Sequence, residues 1–197
     1  MKTRSFAAIA LAAVLAASAS ALAVGKSYGV TTGQSVADFK LADADGKEHS
    51  LSSLKGEKGT VIIFISAQCP MVRAYNERIA KLAEDYRAKG VNVVGINSNV
   101  TESADDIKRH ASENNFSFVV LRDKGNKVAD LLGAERTPEV FFLDASNKLV
   151  YHGRIDNHKD VTLVQSNDLR DAIDATLAGK AVTKAEAAAF GCSIKRG

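Results

Sequence analysis

The chain has little of what would build a cysteine-rich or metal-rich protein. Two cysteines in 197 residues are too few for a disulfide scaffold or a four-thiolate zinc site. The four histidines, His49, His110, His152 and His158, show no tight ligand spacing, so no metal is expected. Charge of either sign hardly prevails: 26 Lys and Arg against 23 Asp and Glu leave +3, small and evenly spread. That excludes the basic footprint of a nucleic-acid binder. The stretch around Gly125 lacks the glycines of a phosphate loop, and no cofactor is expected. No repeat, low-complexity stretch or linker divides the chain. What is present, 46% hydrophobic and 25% charged residues, describes a globular protein and not a disordered, collagen-like or multi-span membrane one.

The first residues distort those totals. Residues 1–23 place Lys2 and Arg4 before an uncharged apolar run from Phe6 to Ala17 and end in Ala21-Leu22-Ala23. A basic start, an apolar middle and a small-residue end make a secretory signal pattern. Ala17-Ser18-Ala19 and Ala19-Ser20-Ala21 are competing cleavage points. An uncleaved anchor is the alternative, although Phe6 to Val24 is barely long enough to span a bilayer. Cleavage removes two bases and no acids, leaving a net charge of +1. The mature protein is expected to be one soluble domain, periplasmic or secreted, with no membrane partner after cleavage. In such an oxidising compartment cysteines can form disulfides. Residues 24–180 would form the domain and 181–197 a tail bearing the second cysteine.

Along the mature chain strands and helices alternate. Phe39 and Leu41 alternate with polar neighbours before Asp45-Gly46, which suits a short hairpin. Thr60 to Ser66 is β-branched and apolar without alternation, the mark of a strand buried on both faces. From Pro70 to Lys89, Val72, Tyr75, Ile79, Leu82 and Tyr86 fall on one helical stripe that Gly90 ends. Val91 to Asn97 reads as a second buried strand. A helix capped by Ser103 covers about 104–115. Ser117 to Leu121 reads as a strand and Asn126 to Leu132 as a short helix. Glu139 to Asp144 and Lys148 to Ile155 form a hairpin, and Asn167 to Ala178 a helix. The succession predicts a three-layer α/β/α sandwich with a mixed central sheet. Beyond Gly179, Thr183-x-x-Glu186 resembles a capping box and predicts one or two helical turns.

The chemistry concentrates where the first buried strand meets its helix. Cys69 stands directly before Pro70, which is tolerated in a first helical turn because the N–H groups there have no partner. Those unpaired N–H groups and the positive end of the helix dipole favour a thiolate, the form that attacks disulfides and peroxides. The plainer alternative, a small core cysteine, fits poorly at a strand end, where open α/β sheets place their sites. Tyr75 belongs first to the core stripe. Arg78 could reach back toward the thiolate, although exposed helical arginines usually do nothing specific. Glu102, Asp105 and Asp106 read as helix-start charges and not as a catalytic acid pair.

Three stretches together resemble the thioredoxin fold. More narrowly they resemble the redoxin branch of peroxiredoxins and the alkyl hydroperoxide reductase/thiol-specific antioxidant group. They are GQSVADFKLADADGKEHSLSSLKG from Gly33, FISAQCPMVRAYNERI around Cys69, and Arg136-Thr137-Pro138-Glu139-Val140-Phe141-Phe142-Leu143-Asp144. The likeness covers about 30–180 in order. C-P-x-x-x-x-Y-x-x-R with a terminal G-C-S-I-K is similar to a peroxiredoxin-like group of bacterial redoxins. The resemblance implies a thioredoxin-like sandwich, a cis Pro138 lying against Cys69, and a thiol oxidoreductase acting on a hydroperoxide or a protein disulfide. An external dithiol would restore it. Thr137, Pro138, Ser66, Pro70 and Arg78 would flank the substrate.

The departures are specific. Val72 stands where thioredoxins carry their second cysteine, and the strand before Cys69 lacks their buried acid. Ser66 occupies the threonine position of the peroxiredoxin motif P-x-x-x-T-x-x-C, but Ile62 replaces its proline. Pro138 displaces the activating arginine, leaving Arg136, Arg154, Arg73 and Arg78 as substitutes. A copper-chaperone relative would need a cysteine where Arg73 stands. Cys192 is then the candidate resolving thiol, as in two-cysteine peroxiredoxins, acting within one chain or across a homodimer. The alternative is a static Cys69–Cys192 staple in a non-catalytic binding or sensing module.

Overall fold

The computed structural model describes residues 29–197, so the leader pattern of residues 1–23 lies outside the described residues. In chain order the elements are β1 (Lys40–Asp43), β2 (Glu48–Ser50), α1 (Leu51–Leu54), β3 (Gly59–Phe64), α2 (Pro70–Arg87), β4 (Val91–Asn97), α3 (Ala104–Glu113) and β5 (Val120–Arg122). Then follow α4 (Lys127–Leu132), β6 (Arg136–Thr137), β7 (Glu139–Asp144), β8 (Leu149–Gly153), α5 (Asp168–Leu177) and β9 (Cys192–Ser193). Seven strands form one mixed sheet in the order β2-β1-β5-β4-β3-β7-β8. β3, β4 and β5 run parallel, while β7, β8 and the β1–β2 hairpin run antiparallel to their neighbours.

The uninterrupted apolar run of β3 is explained by its central place. Val61 and Ile63 point into one core, and Ile62 and Phe64 into the other. The first core takes the α2 stripe, Ile107 of α3, and Leu169 and Ile173 of α5. The second takes Leu51 of α1 with Val128, Ala129 and Leu132 of α4. This is the expected three-layer sandwich. Val72, Tyr75, Ile79, Leu82 and Tyr86 are all at most 1% exposed. At roughly 1.5–3 kcal/mol for each large apolar side chain buried, that stripe is what fixes α2, and with it Cys69, against the sheet.

Two expectations need correction. The strand expected at Ser117–Leu121 begins later, at Val120. The rings of Phe116 and Phe118 stack with centroids 4.8 Å apart and pack against the first core, ahead of Val119 O, which accepts from Gly95 N–H of β4. The tail forms no helix at Thr183. His152 N–H donates to Ala185 O, Ala187 N–H donates to His152 O, and Glu186 accepts a hydrogen bond from Thr32. The glutamate of the expected capping box therefore serves a distant loop, and the segment lies extended along β8. Gly153 allows this approach, because a Cβ there would overlap Ala187 O.

Candidate active site

The parallel strands β3 and β4 end on the same side of the sheet, and the polar residues gathered there build the site. Cys69 is the N-cap of α2, with Pro70 in its first turn. Its side chain caps no backbone group, so the sulfur is left for other contacts. The residue is 3% exposed, and its Sγ lies 3.2 Å from Thr137 O. The Thr137–Pro138 peptide bond is cis, as the resemblance implies. Cys69 is bonded to Cys192, with the two Cα atoms 6.0 Å apart.

The bridge is one rung of a seat for the tail. β9 pairs antiparallel with β6, setting Cys192 opposite Thr137 and Ser193 opposite Arg136. Ile194 N–H donates to Glu135 O, Lys195 N–H donates to Asn99 Oδ1, and Val100 N–H donates to Lys195 O. Ile194 is buried in the second core, while Arg196 bonds Asp130 and donates to Ala134 O at 2.7 Å. Gly191 is required at the entry, since its φ is +155° and a Cβ would overlap the carbonyl of Thr137. The cis-proline loop is itself braced from beneath. Both Glu135 and Arg136 donate backbone N–H groups to Glu139 Oε2 at 2.8 Å, and His152 Nε2 lies 2.7 Å from Glu139 Oε1.

The loop before Cys69 is held by Glu102, a carboxylate whose sequence position suggests only a helix-start charge. Glu102 is 5% exposed. It accepts from Ala67 N–H at 2.7 Å, from Asn97 Nδ2 at 2.7 Å, from the Ser66 hydroxyl, and weakly from Gln68 N–H at 3.4 Å. A buried carboxylate is tolerated when its acceptor capacity is met in this way. The signal was in the sequence as Asn97-Ser98-Asn99, a polar run at the carboxyl end of a buried strand, where open α/β sheets place their sites. Glu102 lies just beyond it and outside α3.

The expected site residues separate into two groups. Cys69, Cys192, Thr137, Pro138 and Pro70 come together. Ser66 is adjacent, but its hydroxyl is committed to Glu102. Arg78 makes no hydrogen bond to Cys69 and is engaged elsewhere. Its guanidinium lies 3.7 Å from the Tyr75 ring centroid, donates to Asp156 Oδ2 at 2.6 Å and to His158 O at 2.9 Å, and also bonds Lys159 O. The other arginines are likewise engaged: Arg154 with Asp168, Arg73 with Ala67 O, and Arg136 with Gly191 O. Tyr75 donates to Asp156 Oδ1 at 2.7 Å, and burial together with that carboxylate pushes its phenol well above the usual range. Among the described residues no cluster of His, Cys, Asp and Glu could hold a metal, and no helix is long and apolar enough to cross a membrane.

A cysteine at the head of a helix, a cis-proline loop against its sulfur and a mixed sheet beneath define a thiol redoxin. The chain belongs to the AhpC/TSA family, whose model matches residues 32–152. It is similar to the thiol-disulfide oxidoreductase ResA of Halalkalibacterium halodurans, 27% identical over 60% of this chain and 65% of that protein. It thus spans just under two thirds of that relative's length. It is also similar to the chloroplastic peroxiredoxin Q of Sedum lineare, 30% identical over 68% of this chain and 76% of that one. A hypothetical protein of Sinorhizobium meliloti 1021, known from its crystal structure, superposes with a TM-score of 0.78 at 35% identity, covering 86% of this chain and 96% of that one. The fold is thioredoxin-like.

Proposed function

We propose that this protein is an exported thiol–disulfide oxidoreductase in which Cys69 is the nucleophile and Cys192 the resolving thiol. The observation that carries the reading is the bridge itself. Cys192 is joined to Cys69 on a strand that pairs with the residue before the cis proline. In the reduced protein the Cys69 thiolate, favoured by the head of α2, attacks one sulfur of a substrate disulfide. A Cys69–substrate disulfide forms as the old S–S bond breaks and a substrate thiolate leaves. The Cys192 thiolate then attacks Cys69 Sγ, forming the bridge and releasing the second substrate thiolate. Two electrons have passed to substrate, and an external dithiol returns them by reducing the bridge. Export rests on the leader pattern of residues 1–23.

A hydroperoxide would reach the same end. Attack by Cys69 breaks the O–O bond, releases an alcohol and leaves a sulfenic acid, which condenses with the Cys192 thiol and releases water. The disulfide substrate is favoured because no arginine among the described residues hydrogen-bonds Cys69, and the Ser66 hydroxyl is committed to Glu102. The test is the rate at which the Cys69 thiol of Cys192→Ser is lost to a peptide disulfide and to a hydroperoxide. Faster loss to the disulfide is expected. Sulfenic acid accumulating at the greater rate would assign the peroxide instead, and a thiol inert to both would overturn the enzymatic reading.

One set of contacts favours a second reading, a binding or sensing module with a structural bridge. The tail is pinned on both sides of Cys192, by Gly191 against Thr137 and by buried Ile194. Closing so long a loop could contribute roughly 4–5 kcal/mol in the chain-entropy model. A bridge that the glutathione couple cannot reduce would establish that reading.

A further inference from the structure

The tail fills its groove as a short extended strand would, with Ile194 turned inward. Ser193 and Lys195 are exposed and Ile194 is buried, while Arg196, also exposed, bonds Asp130 and the Ala134 carbonyl across the surface. In an extended strand the side chains at alternate positions share a face, so Ile194 and Arg196, two and four residues after the cysteine, lie on the groove side, the first buried and the second at its rim. The backbone contacts on this groove would suit any sequence. The socket for Ile194 and the Asp130 carboxylate would not.

We propose that this groove is also a recognition site for a partner protein. It would take an extended segment bearing a cysteine, an aliphatic side chain two residues later and a basic side chain four residues later. The C-terminal tail would be its tethered mimic. The groove offers such a segment four things: the Thr137 and Glu135 backbone, the Asn99–Val100 edge, the apolar socket beside α4, and the charge of Asp130. Asn99 meets the tail backbone through one atom of its amide. Asn99 Nδ2 is buried without a hydrogen-bond partner, although Asn99 Oδ1 receives Lys195 N–H. Strand addition of this kind draws affinity from backbone bonds and specificity from alternate side-chain pockets.

The inference rests on the thiol–disulfide reading, and one assay separates the two. Reduced Cys192→Ser protein is mixed with synthetic heptapeptides whose cysteine carries thionitrobenzoate as a mixed disulfide. The Cys69 thiolate attacks the peptide sulfur, the peptide–thionitrobenzoate bond breaks, and the coloured thiolate is released. The peptide copying residues 191–197 is compared with one carrying aspartate for the isoleucine, one carrying glutamate for the arginine, and a scrambled sequence. The copy is expected to react with a saturating rate, roughly tenfold or more above the aspartate and scrambled peptides. The glutamate peptide should fall between them, and Asp130→Arg should reverse the order of the arginine and glutamate peptides. Loosening the cis tail by adding Ile194→Asp to Cys192→Ser should speed reaction with the copy. Equal rates for all four peptides would overturn the recognition site and leave the oxidoreductase standing. No release from any peptide, by protein whose Cys69 thiol titrates under denaturing conditions, would overturn both.

Discussion

The two sulfurs of the bridge belong to regions built on different principles. Cys69 stands on the main architecture: a strand buried on both faces, a helix held by five apolar side chains, and a loop clasped by Glu102. Cys192 stands on a short strand at the rim, held by a few backbone bonds, one buried isoleucine and one arginine. The first arrangement resists change because many groups would have to move together. The second can leave by breaking a few contacts, each worth about 0.5–1.5 kcal/mol net. The proposed dithiol cycle requires a fixed nucleophile and a releasable partner, and this asymmetry is what it would use.

Substitutions on the two sides should therefore behave differently. The largest effect falls on Cys69, the proposed nucleophile: Cys69→Ser should abolish the proposed disulfide reductase activity while leaving the circular dichroism spectrum unchanged. Next is Glu102→Ala, which leaves the Ala67 N–H and the Asn97 amide buried without their acceptor. It should lower stability in urea by roughly 2–4 kcal/mol and slow Cys69 together with it. On the tail side, Gly191→Ala cannot place its Cβ against the Thr137 carbonyl. It should slow bridge formation in the reduced protein about tenfold, followed as loss of free thiols, with stability of the reduced form changed by less than about 1 kcal/mol. Arg78→Ala removes a bond to buried Asp156 far from the sulfur, and should reduce stability with little change in the rate at which Cys69 reacts. The smallest effect is acid sensitivity. Burial holds His110 below its ordinary 6.5, so the fold prefers the neutral ring. The unfolded chain binds more protons below that value, and the His110 contribution fades as pH falls from 6.5 toward the lowered value. Burial acts to raise Asp168, but Lys184 and Arg154 outweigh it and hold the carboxyl below 3.8. Its contribution is full above the ordinary carboxylate value and is lost as pH falls through the lowered one. Because Lys184 precedes the segment paired with β8, hydrogen exchange there should rise in acid before exchange in β3 does.

The legible part of the molecule was the part governed by periodicity. The α2 stripe, the unbroken apolar run of β3 and the Asp45-Gly46 turn each carry a repeat or a turn signal that local sequence must satisfy. Cys69 was legible because the strand end and Pro70 locate it on the head of a helix. The tail was not. Thr183 and Glu186 have the spacing of a cap, yet the open edge of β8 and the hydroxyl of Thr32 compete for the same groups, and such long-range competition leaves no local trace. Arg78 followed the same rule: its helix position was correct, but Asp156, distant in sequence, decides where the guanidinium goes. Glu102 shows a third case. Its position beside a cap suggested an exposed charge, and only the fold brings Ala67 and Ser66 to it.

The reduction potential of the Cys69–Cys192 pair, measured by equilibration of the wild-type chain with glutathione buffers, tests the cycle most directly. A releasable tail predicts a bridge that glutathione reduces within an accessible ratio, at a potential above about −300 mV, where structural disulfides of secreted proteins give way to labile ones. A bridge that stays oxidised in every such buffer would contradict the cycle and leave Cys192 as a staple.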